Sequence, residues 1–174
     1  MFKLKISDIN AAKMLSKYWA THTISLLDPG IDENDFLDIK LPEASENGKI
    51  RRYFFHDIAD LKNISFLIFL GEESKPILAS NEDIQDILEF TASLQSTDKL
   101  LVHCQAGISR STATACGILC QHGLTPIEAV KQVVSIRSQA FPNSHILKLF
   151  DKYLELQGEL VLAGTKDIFR LRDE

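Results

Sequence analysis

The chain has 174 residues and a mass of 19.6 kDa, which fits one domain and leaves little room for a second. Its 19 basic and 24 acidic side chains give a net charge of −5, which argues against a nucleic acid or an anionic membrane as the main partner while allowing a local basic site. With 45% apolar and 25% charged residues, the composition is that of a globular domain rather than a disordered, collagen-like or coiled-coil chain.

Cys104, Cys116 and Cys120 form an odd, clustered set unlike a secreted disulfide framework, so a reducing compartment is expected. The opening residues carry no long apolar segment and no small-residue cleavage site. The longest apolar run, residues 66–70, is far short of the ~20 residues that cross a bilayer. The expectation is a cytoplasmic protein without membrane insertion, a secretion route lacking a cleaved signal aside.

No internal repeat, low-complexity tract or Pro/Gly-rich linker divides the sequence, so residues 1–174 read as a single domain. Residues 2–6 alternate as a strand does, and Ser7 is placed to cap a helix running to Tyr18. The β-branched and apolar run 22–27 predicts a buried strand, ended by the turn residues Asp28-Pro29-Gly30. Residues 29–49 are polar and irregular, a long loop. A strand resumes at 52–55, and residues 66–70 read either as a strand or as part of a short helix.

Ser80 and Asp83 have the spacing of a capping box, with Ile84, Ile87, Leu88 and Leu94 following at helical intervals. Leu100-Leu101-Val102 predicts a central strand. Residues 111–121 predict a helix whose Ala113, Ala115 and Gly117 allow close packing, and Gly123 stops it. Thr125, Pro126 and Glu128 supply an N-cap, a first-turn proline and a capping glutamate, with Ile127, Val130 and Val134 on the buried face. Asn143 or Ser144 caps a last long helix that turns Ile146, Phe150, Tyr153 and Leu154 inward. Strands alternating with helices in this way predict an α/β fold: a single domain with a central, mostly parallel sheet flanked by helices.

The segment Val102-His103-Cys104-Gln105-Ala106-Gly107-Ile108-Ser109-Arg110-Ser111-Thr112 falls between a predicted strand and a predicted helix. Ligands of open α/β sheets bind there, beyond the carboxyl ends of the strands. A loop curling into a helix start aims backbone N–H groups at one point, where the helix dipole also favours negative charge. Residues Gln105, Ala106, Gly107, Ile108, Ser109 and Arg110 are thereby candidate ligands of a tetrahedral dianion. Cys104 at the entrance feels the same field, and its thiolate is the candidate nucleophile. Arg110 offers a planar fork for two phosphoryl oxygens. Gly107 permits a positive φ or close backbone approach, and the Ser111 hydroxyl can donate to the sulfur as it leaves.

These residues resemble the H-C-x-x-x-x-x-R-S signature of the protein tyrosine phosphatase superfamily. The form His103-Cys104-x-Ala106-Gly107-x-Ser109-Arg110-Ser111 is similar to its dual-specificity-like branch and to bacterial predicted tyrosine phosphatases. Arg137-Ser138-Gln139-Ala140-Phe141-Pro142-Asn143 matches the family's Arg-x-x-x-x-Pro-Asn stretch, and residues 53–58 fit the strand that ends in its general-acid aspartate. The likeness spans residues 22–157 and is strongest over 101–145.

The resemblance implies a phosphomonoester hydrolase with a cysteinyl-phosphate intermediate and no cofactor or metal. Asp57 is the candidate general acid, with Asp60, Glu72 and Glu73 as alternatives, because a departing alkoxide or phenoxide needs a proton. Asp57 also suits an ordinary turn after a strand. It lies farther upstream of Cys104 than in compact dual-specificity members, which an insertion around residues 64–75 explains. His103 is expected to order the loop from beneath through backbone hydrogen bonds. Asn143 either hydrogen-bonds the phosphate loop or simply caps its helix.

Outside this segment the readings are plain. Cys116 and Cys120 suit small core positions. No His/Cys pair stands at metal-ligand spacing, and His22, His56, His122 and His145 read as turn or surface residues. Arg51 and Arg52 belong either to the pocket rim or to solvent. The expected substrate is a phosphorylated protein or peptide, phosphotyrosine foremost, met by a monomer. The uncharged Gln105, Ala106, Ile108 and Ser109 disfavour a phosphoinositide substrate, and the acidic chain disfavours RNA. The rival outside enzymes is a catalytically silent phosphopeptide-binding module.

Overall fold

The computed structural model describes residues 1–31, 40–59 and 76–172. Its elements in chain order are β1 (Lys3–Ser7), α1 (Ile9–Tyr18), β2 (His22–Leu27), β3 (Lys49–Phe54), α2 (Asn81–Thr91), β4 (Lys99–His103), α3 (Arg110–Gln121), α4 (Pro126–Ile136) and α5 (Ser144–Tyr153). Two helical turns follow, α6 (Glu159–Leu162) and α7 (Ile168–Leu171), joined by a π-helical turn, Ala163–Asp167.

The four described strands pair in the order β1-β4-β2-β3, all parallel. The α/β expectation therefore holds, and the sheet is flanked by helices. β2 and β4 lie centrally and are buried almost throughout, as strands covered on both faces must be. Register fixes which strand ends meet. Ser25 stands opposite His103, and Leu27 opposite Phe54, so the residues just beyond β2, β3 and β4 emerge side by side. Those residues are Asp28, Phe55 and Cys104.

α3 runs through the core with Ala113, Ala115, Cys116, Ile118 and Leu119 fully buried. A Cβ at Gly117 would stand 2.2 Å from the Phe150 ring, so the small residue here sets the approach of α3 and α5. The capping boxes of Ser80/Asp83 and Thr125/Glu128 form as the spacing predicts. Cys116 and Cys120 are free thiols in the core, where burial pushes both up, Cys120 to about 12.

Several boundaries move. Asp8, not Ser7, caps α1: its carboxylate accepts from the Asn10 and Ala11 amides, while Ser7 is still paired in β1 with His103. β3 begins at Lys49 rather than 52, because backbone pairing with β2 holds a charged edge strand that lacks apolar alternation. Leu94 is buried, but beyond the end of α2. The buried stripe of α4 is Pro126, Ala129, Val130 and Val133, which turns Ile127 outward and leaves Val134 partly buried. Tyr153 is also exposed, since the buried stripe of α5 passes through Ile146, Leu147 and Phe150.

The histidines read as turn or surface residues are all half-buried and hydrogen-bonded; His122 and His145, for example, meet the Thr91 and Ala79 carbonyls at 2.9 Å. The segment after residue 157 carried no motif, yet it is secured by the buried Asp151, whose carboxylate accepts from the Gly158, Leu160 and Val161 amides. The readings for residues 66–70 and 64–75, and part of the 29–49 loop, lie outside the described residues.

Candidate active site

The β4–α3 loop encloses the sulfur of Cys104. The Gly107 amide donates to Sγ at 3.2 Å, and the Ser111 hydroxyl lies 3.2 Å from it. Consecutive loop carbonyls are all engaged from outside. Gln105 O accepts from the Ile9 amide at 3.2 Å, Ala106 O from Arg137 Nη2 at 2.9 Å, and Gly107 O from Arg137 Nε at 3.1 Å. Ile108 O accepts from the Phe141 amide at 2.8 Å, and Ser109 O from the Asn143 amide at 3.3 Å. In a trans peptide the N–H points away from the C=O it is joined to, so tethering these carbonyls outward turns the amides of residues 106–110 toward the sulfur. Such a cradle can receive an anion.

Gly107 is the residue that permits the curl. Its φ is +69°, and a Cβ there would stand 2.5 Å from the Ser7 carbonyl carbon, so both conformation and space demand glycine. The start of α3 is also unlike those of the four other long helices. Side chains cap α1, α2, α4 and α5, but Ser109 at the head of α3 makes no such bond. Its hydroxyl donates instead to Asp57 Oδ1 at 2.7 Å, leaving the first amides of α3 to the cradle.

Arg110 is 2% exposed. Its Nη1 donates to Phe55 O at 2.7 Å and lies 2.9 Å from Asp28 Oδ1. Its Nε makes no hydrogen bond among the described residues and stands 4.0 Å from Asp57 Oδ2. Asp57, just beyond β3, is partly exposed. Its Oδ1 takes both available hydrogen bonds, from Ser109 Oγ and from Asn143 Nδ2 at 2.8 Å, which leaves Oδ2 open.

Asn143 fills both expected roles and a third. Its Oδ1 caps α5 through the His145 and Ile146 amides, its backbone N–H braces the loop, and its side-chain amide holds Asp57. His103 departs from expectation. Its Nε2 pairs with Ser25 Oγ at 2.6 Å, a side chain on β2, and Nδ1 makes no hydrogen bond of normal geometry among the described residues. Burial pushes the ring down to about 4, against the pull of the adjacent Cys104 backbone.

Arg51 lies over Phe90 and 3.8 Å from Asp86, and Arg52 reaches the Pro42 carbonyl. Asp60, Glu72 and Glu73 lie outside the described residues. Two contributors escaped the sequence reading. Arg137 was noted only as a motif residue, and Asp28 only as a turn; a carboxylate directly after a central strand, level with the loop, was the available signal for Asp28.

No protein-family model matches the chain, and no curated protein does. Among solved structures it is similar to PTPMT1 in complex with PI(5)P, at TM-score 0.58 and 16% identity over 88% of this chain and 91% of that one. It is similar to human DUSP28 at TM-score 0.53 and 21% identity, over 90% and 94% of the two chains. The human tyrosine phosphatase-like serine/threonine/tyrosine-interacting protein matches at TM-score 0.53 and 20% identity, over 88% and 92%. The chain shares the fold of these solved structures. Among the described residues no helix is long and apolar enough to cross a membrane.

Proposed function

We propose that the chain is a cysteine-dependent phosphomonoester hydrolase acting on phosphorylated protein, with phosphotyrosine its leading substrate. The observation that carries this reading is the row of outward-tethered carbonyls from Gln105 to Ser109 around a buried sulfur that accepts from the Gly107 amide, beside a buried guanidinium. A dianionic phosphoryl group matches that charge and shape.

Cys104 thiolate attacks phosphorus in line, and the S–P bond forms as the P–O bond to the leaving group breaks. The amides of residues 106–110 and the free edge of Arg110 hold the non-bridging oxygens, where positioning and charge stabilisation do most of the catalysis. Asp57 Oδ2, which accepts no hydrogen bond among the described residues, carries the proton that the leaving oxygen takes. The cysteinyl-phosphate then yields to water, from which ionised Asp57 takes a proton, while Ser111 donates to the departing sulfur at its 3.2 Å contact.

The loop side chains around the cradle, Gln105, Ala106, Ile108 and Ser109, carry no charge for additional phosphates, which favours a phosphoprotein over an inositol lipid. The test is release of phosphate from a phosphotyrosine peptide and from PI(5)P without added metal, compared between wild type and Cys104→Ser. Peptide turnover abolished by Cys104→Ser and by vanadate supports the proposal. Turnover of the lipid alone moves the substrate, and tight peptide binding without turnover makes the chain a silent binding module.

A further inference from the structure

We infer that Asp28 is a positioning residue for Arg110, clamping one nitrogen of the guanidinium so that its opposite edge is presented to the substrate dianion. The inference rests on the phosphatase reading above and adds a residue to it. Arg110 opens α3, but the two oxygens beside its Nη1 follow neighbouring strands: Asp28 Oδ1, ion-paired at 2.9 Å, beyond β2, and Phe55 O, accepting at 2.7 Å, beyond β3. Register places these two oxygens together, because Leu27 pairs with Phe54 one residue earlier and the Phe55 amide donates to Leu27 O at 3.0 Å.

Nη1 is thereby committed. The Nε–Nη2 edge makes no hydrogen bond among the described residues, with Nε buried and unpartnered. A guanidinium binds a phosphoryl group best through two parallel N–H bonds, and here one edge is held while an adjacent edge stays free. Asp28 also supplies the near counter-charge. Arg110 is almost fully buried, and a buried cation without a partner is costly. Asp57 is no substitute: its nearest oxygen is 4.0 Å away, and Ser109 and Asn143 hold its other oxygen. The Asp28 side chain is 40% exposed, so its replacement removes little packing.

Asp28→Ala and Asp28→Asn are compared, since Asn keeps an oxygen beside Nη1 while losing the charge. With a phosphotyrosine peptide, Asp28→Ala is expected to lower kcat/KM roughly 10–100-fold, the scale of a misplaced catalytic group, and to lower the melting temperature because Arg110 loses its near counter-charge. Asp28→Asn, which restores an oxygen but not the charge, is expected to recover part of the kcat/KM loss. A direct reading needs no turnover: in 15N-labelled unliganded protein, the Arg110 guanidinium N–H signals exchange faster with water in Asp28→Ala than in wild type. Vanadate binding measured on the same proteins should weaken in parallel.

Unchanged Arg110 signals in Asp28→Ala, or vanadate bound as tightly or more tightly, would overturn the clamp and make Asp28 a competitor for the cation. If Asp28→Asn is as impaired as Asp28→Ala and loses the limb of the pH profile that reports the acid, Asp28 is the proton donor and the clamp also fails. A wild type inert toward every phosphate ester sinks the enzyme reading, while the guanidinium signals still decide the Asp28–Arg110 relationship.

Discussion

Ser25 Oγ and His103 Nε2 meet at 2.6 Å in a fully buried contact that ties the two central strands together one residue before the nucleophile. The pair accepts a neutral imidazole, and burial holds His103 near 4, below the ordinary 6.5. The folded state therefore resists a proton that the unfolded chain takes up readily. This group's contribution is fully present above about pH 6.5 and is lost as pH falls from there toward 4. The loss is on the order of 3 kcal/mol. Urea denaturation at pH 7, 5.5 and 4.5 checks it, with His103→Gln expected to be less stable at pH 7 but to show a flatter decline between pH 6.5 and 4.

Gly107→Ala should damage the site far more than the fold. The new Cβ meets the Ser7 carbonyl and the Asp8 amide at a φ of +69°. The cradle must open to relieve this, so kcat/KM should fall about 10²-fold or more. Gly123→Ala is the control. Its φ is +94° with nothing within 4 Å, so it should cost about 1 kcal/mol and leave activity intact. Steady-state kinetics and thermal melts on both variants decide the matter.

Asp57→Ala should lower the rate about 10²–10⁴-fold for alkyl or phenyl phosphates and much less for p-nitrophenyl phosphate, whose leaving group needs little protonation. A plot of log kcat against leaving-group pKa should steepen accordingly. Asn143→Ala and Ser109→Ala each remove one hydrogen bond to Oδ1 and should show weaker versions of the same trend. An active Asp57→Ala beside an inactive Asp60→Ala would move the acid.

Ser111→Ala leaves the attack largely intact and slows breakdown of the intermediate, because the sulfur loses the donor 3.2 Å away. Stopped-flow measurement with p-nitrophenyl phosphate should show a burst of about one equivalent of nitrophenol followed by a slow phase. Equal slowing of both phases would remove Ser111 from the second step.

Much of this was legible in the chain because the informative signals are local. The boundaries of β2, the two capping boxes and the strand–loop–helix around Cys104 depend on neighbours within a few residues, and they stand where the sequence puts them. The misplacements occur where long-range contacts decide. β3 begins early because β2 pairs with it, and Ile127 turns outward because the apolar stripe of α4 starts at Pro126. The site shows the same division. Cys104, Gly107 and Ser111 could be placed by spacing, whereas Asp28 meets Arg110 only through strand register, and His103 finds Ser25 only across the sheet. Asp57 joins them through Ser109 and Asn143, two residues whose own motifs suggested different partners.

Asp151 has a consequence for anyone trimming this protein. Three amides of the tail close on a carboxylate that α5 carries inside, and Leu160, Ala163, Ile168 and Leu171 then seal that helix from water. Cutting the chain near Gly158 would leave that carboxylate without its amides and bare Leu147 of α5, which lies against Gly164 of the tail. What looks like a dispensable end covers the helix on which α3, the helix that follows Cys104, leans.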